Sequence, residues 1–151
     1  LPVAELDRFT KRISLGYPSE AEEITILERL VGGDPLREIE PVARVERVRR
    51  ARATAASVSI GEPIRSYATR LSRYTRERAA LGASPRASIA LLRASQGRAI
   101  LDGRDYVIPD DVKAEAAAVL GHRIRPEAEA PVGGESGRRV VERALESVSP
   151  E

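Results

Sequence analysis

Gly82-Ala83-Ser84-Pro85-Arg86-Ala87 ends one helix and opens the next within six residues. Glycine accepts the backbone that follows a last helical turn, so Gly82 reads as the stop. The Ser84 hydroxyl can accept from the free amides of a new first turn, where Pro85 already has the fitting φ. Upstream, Ile64, Tyr67, Ala68, Leu71 and Tyr74 share one face of a helix opened by Gly61-Glu62-Pro63 and running to about Leu81. Downstream, Ile89, Leu92, Ala99 and Ile100 predict a helix to about Leu101. Amphipathic helices joined by so short a break pack against each other, and the chain reads as a helical bundle.

The pattern extends outward from this break. Asp102-Gly103-Arg104-Asp105 is a turn, Tyr106-Val107-Ile108 is extended, and Pro109 begins a helix that Gly121 ends after Leu120. Pro126 to Glu135 reads as a linker or surface loop, and Ser136 caps a last short helix through Leu145. Toward the start, Val42 to Ala56 predicts a helix with Val42, Val45 and Val48 inside and Arg44, Arg47, Arg50 and Arg52 outside, followed by an extended Ser57 to Ile60. Ser19-Glu20-Ala21-Glu22 is a capping box: the Ser oxygen accepts from the Glu22 amide and the Glu22 carboxylate reaches back. It opens a helix whose Ile24, Leu27, Leu30 and Val31 lie on one face, ended by Gly32-Gly33-Asp34-Pro35. Before it come a short helical segment, Leu1 to Phe9, and a strand, Arg12 to Leu15, closed by Gly16-Tyr17-Pro18. The chain is mainly α, without the alternating long strands of a parallel-sheet enzyme core.

Composition narrows the chemistry. A length of 151 residues fits one domain, or one domain and a piece of another. Cys is absent and His122 is the one His, which excludes thiol chemistry, disulfide frameworks and zinc clusters. No G-x-S-x-G elbow supports a triad on His122. The longest apolar run, Ala116 to Leu120, is far below the ~20 residues of a membrane span. With no secretory leader in sight, the expected location is cytoplasmic. Met and Asn are absent as well, and a chain without Met is expected to be a fragment or a processed product. The 25 basic and 23 acidic residues leave a formal charge of +2, a weak basis for binding polyanions.

Each candidate group has a plain reading beside a functional one. The Arg runs 44–52 and 65–78, the second enclosing Tyr67 and Tyr74, could face nucleic acid. Because the tyrosines fall on the buried stripe, two solvated helix faces are the better account, and no nucleic-acid partner is expected. His122 follows a helix end and is suited to terminal carbonyls. Asp110 and Asp111 suit the positive end of their helix better than acid/base work. The chain contains no Gly-Lys pair, so it cannot build a P-loop. Two arginines stand out. Arg86, one residue after Pro85, adds a guanidinium to a helix start that already favours anions. Arg8 sits in Leu6-Asp7-Arg8-Phe9, between apolar anchors and beside an acid.

Taken together, these pieces resemble the C-terminal part of the MoxR family of AAA+ ATPases. The resemblance rests on Leu1-Pro2-Val3-Ala4-Glu5-Leu6-Asp7-Arg8-Phe9, Arg12-Ile13-Ser14-Leu15-Gly16-Tyr17-Pro18, Gly82-Ala83-Ser84-Pro85-Arg86-Ala87, Asp102-Gly103-Arg104-Asp105-Tyr106-Val107, Pro109-Asp110-Asp111-Val112 and His122-Arg123, in that order. It covers nearly the whole chain and is weakest after Pro126. It implies three parts: residues 1–17 as the end of the α/β core, 18–125 as the helical lid, and 126–151 as a loop and last helix. It implies that Arg8 is the arginine finger reaching a neighbour's γ-phosphate, and that Arg86 is the sensor-two arginine contacting the phosphates of its own subunit's ATP. ATP and Mg2+ are the implied cofactors of the longer protein, with no metal ligand in this chain. The implied assembly is a ring of like subunits, expected to be a hexamer, often working on partner proteins with von Willebrand A domains and acting as a chaperone-like remodeller. ATP hydrolysis belongs to the longer protein, because the P-loop and the acidic magnesium ligands are not among these residues. Another AAA+ clade, such as the magnesium chelatases, an Arg-faced nucleic-acid module and a ligand-free bundle are the rivals. Ile108 departs from the Thr that commonly precedes Pro-Asp-Asp, so the cap of its helix is expected to be lost unless Asp110 replaces it. A first segment of seventeen residues without its sheet is expected to be loosely held.

Overall fold

The computed structural model describes residues 3–126 and 136–150. It divides into two compact units, Leu1–Arg12 with Arg52–Glu151, and Ile13–Ala51. The expected Pro/Glu/Gly loop falls almost wholly on 127–135, outside the described residues.

The larger unit is built from α1 (Val3–Leu6), the end of α3 (Val45–Ser57), α4 (Glu62–Glu77), α5 (Pro85–Leu101), α6 (Pro109–Leu120) and α7 (Gly137–Ser147). Helices α4, α5, α6 and α7 pack around one apolar core, with α5 lying along α6. From α4 the core takes Ile64, Tyr67, Ala68 and Leu71, the stripe the sequence predicted. From α5 it takes Ala87, Leu91, Ser95 and Ala99, so Ile89, expected inside, is instead 53% exposed. The true stripe steps by four residues and includes Ser95, which apolar periodicity passes over. The Ser95 hydroxyl donates to the Leu91 carbonyl, so no polar group is stranded. Helix α6 adds Val112, Ala116, Val119 and Leu120, and α7 adds Val140, Val141 and Ala144. Each fully buried Val or Leu contributes about 1.5–3 kcal/mol relative to exposure.

Helix α4 stops four residues earlier than predicted, at Glu77. The segment after it is held by backbone and side-chain bonds rather than by a further turn. Ala83 N–H donates to Thr75 Oγ1 at 2.9 Å, and Arg76 Nε donates to the Ala83 carbonyl at 2.6 Å. Leu81 and Arg125 exchange both backbone bonds, at 3.1 and 2.9 Å. Ser57, expected extended, instead ends α3; the extended pieces at 58–60 and 106–108 find each other, with Ser59 and Tyr106 forming a parallel bridge. Gly103, with φ +75°, makes the turn that brings the second piece back.

The strand expected at Arg12 to Leu15 is not formed, since no other strand among the described residues offers it a ladder. Lys11 and Arg12 nonetheless bond to α6. The Arg12 amide donates to the Ala118 carbonyl at 2.9 Å, and Lys11 Nζ meets the Glu115 carboxylate at 2.6 Å.

The smaller unit holds α2 (Glu20–Gly32), a 3-10 turn (Pro35–Glu38) and the first half of α3. In the capping box of α2, the Glu22 carboxylate takes both Ser19 donors, the amide at 2.8 Å and the hydroxyl at 2.7 Å. These two bonds hold the Glu22 carboxyl below the usual carboxylate range. Every residue of this unit is exposed, including Ile24, Leu27, Leu30 and Val31 of α2. Val42, Val45 and Val48, expected inside, are exposed too. Within this unit nothing faces their stripe, so the amphipathic pattern is present without a buried layer.

Candidate functional site

Arg86 is the second residue of α5, after the cap Ser84 and Pro85. The Ser84 hydroxyl accepts the Ala87 amide at 3.2 Å, as the sequence predicts. The Arg86 side chain is exposed, and no hydrogen bond or ion pair engages it among the described residues. A helix start and a guanidinium therefore present positive charge together, which favours an anion there.

Arg8 lies just past α1, in a turn closed by its own amide donating to the Glu5 carbonyl at 3.0 Å. Its side chain is also exposed and engages no carboxylate among the described residues. The neighbouring Asp7 is not its partner. Asp7 accepts from Ser84 Oγ at 3.1 and 3.0 Å on its two oxygens, and from Arg123 Nε at 3.0 Å. One carboxylate thus joins the turn that carries Arg8 to the helix start that carries Arg86. No bond joins the two arginines directly.

The sequence marks Arg123 only as half of His122-Arg123, and the structure gives it more weight. It is 5% exposed, at the end of the turn that follows α6. A guanidinium has five N–H groups, and each finds an acceptor. Nε donates to Asp7; Nη1 donates to the carbonyls of Thr10 and Val119; Nη2 donates to those of Asp7 and Phe9. Four of these bonds land on residues 7–10. Burial pulls the guanidinium below its ordinary range, Asp7 opposes this, and the like charge of Arg86 adds to it. His122 joins the same grip, with Nδ1 3.2 Å from the Ala118 carbonyl and Nε2 3.1 Å from the Phe9 carbonyl. The helix-end carbonyl was expected from the sequence, and the Phe9 contact was not. The signal available was a lone charge in the apolar run Val119-Leu120-Gly121-His122-Arg123-Ile124. A charge so placed needs partners.

The other candidates fall into structural roles. Asp111 is 2% exposed and pairs with Arg104, while Asp110 meets Lys113 on the surface at 2.9 Å. Tyr67 is fully buried, and Arg78 lies over the Tyr74 ring at 3.9 Å from its centroid.

A family profile described as AAA lid domain matches residues 71–144, from the end of α4 through most of α7. Chaperone MoxR1 of Mycobacterium tuberculosis is 32% identical over 160 residues, covering 99% of this chain and 42% of that protein. The chain belongs to the MoxR-like AAA+ group. The uncharacterized protein YeaC of Bacillus subtilis is 36% identical to this MoxR-like lid over 150 residues, covering 98% of the chain and 47% of that protein. A crystal structure from Cytophaga hutchinsonii, provisionally assigned as an ATPase, superposes with a TM-score of 0.85 at 31% identity over 99% of the chain and 48% of its own. The MoxR-like lid thus spans less than half the length of each of these relatives. No helix among its described residues is long and apolar enough to cross a membrane.

Proposed function

We propose that this chain is the lid and finger-bearing edge of a longer MoxR-like ATPase that hydrolyses ATP to remodel or chaperone partner proteins. In this reading Arg86 holds the phosphates of ATP bound to its own subunit, and Arg8 is the arginine finger for the neighbour's site in a ring, taken to be a hexamer in the cytoplasm. The partner we favour is a protein with a von Willebrand A domain. ATP supplies the γ-phosphoryl group, whose transfer to water depends on positioning and on charge stabilisation. The residues here fit part of that task, offering two exposed guanidiniums and one helix start. Mg2+ is assigned to the rest of the longer protein, where the family resemblance places its acidic ligands.

One observation carries the reading. Arg8 and Arg86 are both exposed and without a carboxylate among the described residues, yet their two elements are bound together through Asp7. Surface arginines that served only solubility would not need a shared support. The test is to compare Arg8→Ala and Arg86→Ala in the longer ATPase. The first should lower kcat with ATP affinity retained, and the second should weaken ATP affinity. Equal and small effects from both would remove the assignment.

A further inference from the structure

We infer that Arg123, with Asp7, is the positioning residue for Arg8, and that through Ser84 it fixes the finger turn to the helix start of Arg86. This inference rests on the finger reading above. The geometry supports it residue by residue. Arg123 bonds the carboxylate and carbonyl of Asp7 on one side of Arg8, and the carbonyls of Phe9 and Thr10 on the other. Arg8 is the one residue of the four that Arg123 leaves alone. Its backbone is held from both sides and its side chain is left to reach outward. A finger must be aimed before the transition state forms, because misplacement by an ångström can cost about 100-fold in rate. A two-sided clamp on the preceding and following residues provides such aim without touching the reacting phosphate.

The clamp is also shared. The Asp7 carboxylate that receives Arg123 receives the Ser84 hydroxyl as well, and Ser84 caps α5 by accepting the Ala87 amide. A displacement of the α5 start on gripping phosphate would therefore pull on the carboxylate adjoining Arg8. State of the subunit's own site and presentation of its finger to the next subunit are mechanically joined by this one group. Lysine cannot substitute at 123, having three donors on a flexible stem in place of a planar fork of five.

The test uses Arg123→Lys and Asp7→Asn in two settings. In the longer ATPase, Arg123→Lys should lower kcat about tenfold or more while ATP Kd stays within about twofold. In an Arg8→Ala background it should cost little further, since a finger that is absent cannot be misaimed. In the 151-residue chain, amide exchange should accelerate about tenfold at Phe9 to Arg12 and stay unchanged at Leu91 to Ser95. Should Arg123→Lys melt the protein, Asp7→Asn keeps the shape of the hub, and the same local exchange and turnover losses are expected of it. Uniform acceleration through α5 and α6, or equal kcat losses with and without Arg8, would overturn the positioning role. If Arg8→Ala cuts turnover and the clamp variants do not, positioning fails and the finger stands. If Arg8→Ala itself leaves turnover intact, both fall.

Discussion

Arg104 grips Asp111 with a parallel fork, Nη1 to Oδ2 at 2.7 Å and Nη2 to Oδ1 at 2.6 Å. The same Oδ2 accepts the Ile108 amide at 2.9 Å. Ile108 has no side-chain acceptor for the first turn of α6, yet its own amide is satisfied from within that turn. The missing side-chain acceptor is not supplied by Asp110, which meets Lys113; Asp111 provides only the other half of a capping box, held there by Arg104. Hydrogen bonding from Arg104 first, and then from the Ile108 amide, keeps the Asp111 carboxyl below the usual carboxylate range. The same pairing raises the Arg104 guanidinium. A carboxylate depressed in the fold adds stability above its unfolded pKa, about 4, and loses it as pH falls through the lower folded value. Thermal stability should therefore hold above about pH 5 and decline below about pH 4. Asp111→Asn should remove much of that acid limb and cost about 2 kcal/mol at neutral pH. An unchanged acid limb in the variant would show that other carboxylates set it.

Gly82 is required for space rather than for an unusual φ. A Cβ there would meet the Arg76 backbone and lie 2.7 Å from the Thr75 carbonyl carbon, both in the last turn of α4. Backbone cannot swing aside as a side chain can. Gly82→Ala should lower stability by about 2 kcal/mol or more. Gly97, inside α5 with nothing within 4 Å of an added Cβ, is the matched control. Gly97→Ala should gain about 0.5–1 kcal/mol from helix propensity. Chemical denaturation of both variants tests the pair, and a neutral Gly82→Ala would mean the α4–α5 connection is looser than described.

The helices of the larger unit were legible because their stripes repeat at helical spacing and their ends carry strong punctuation, Ser84-Pro85 and Gly121 above all. Leu91 and Ser95 were not, because a serine in a core stripe looks like a break until its backbone partner is known. The same limit applies to the candidate site. Arg8 and Arg86 can be picked out locally, each from its own motif. Asp7–Arg123 spans 116 positions, and nothing in a linear pattern says which acid a buried arginine will find. The apolar faces of α2 and α3 are equally plain in sequence, but a stripe predicts only that a layer is wanted, not that this unit supplies one.

The 151-residue chain alone should bind ATP weakly. Arg86 and one helix start provide a millimolar contact at most, roughly 4 kcal/mol on the affinity scale. A nucleotide held by charge alone should also be released by salt. Calorimetry at low and at moderate ionic strength is the measurement. Micromolar affinity would require a phosphate cradle within these residues and would displace the division of labour proposed above.

Arg8 should act in trans, and mixing subunits can show it. Its guanidinium projects from a turn whose neighbours are clamped, and the acid beside it is already committed to Arg123 and Ser84. Simple anchoring of α1 through an Asp7–Arg8 pair is thus not available to explain it. A finger delivered to a neighbour meets negative charge that grows on the γ-phosphoryl oxygens toward the transition state, and only such interactions raise turnover. Fingers in GTPases are worth about 10³–10⁵ in rate, so Arg8→Ala in the longer ATPase should cut kcat by about 100-fold or more with little change in ATP Kd. A subunit lacking a working P-loop but keeping Arg8 can lend its finger to an Arg8→Ala neighbour whose own nucleotide site is intact. Mixed rings should therefore recover part of the lost activity, rising as the finger donor is added and then falling as it displaces the subunits that hydrolyse. Were Arg8 needed only for its own subunit's fold, mixing would restore nothing, and the melting temperature of Arg8→Ala would drop along with its turnover. That pair of results would assign Arg8 to structure and leave the finger to be sought elsewhere in the protein.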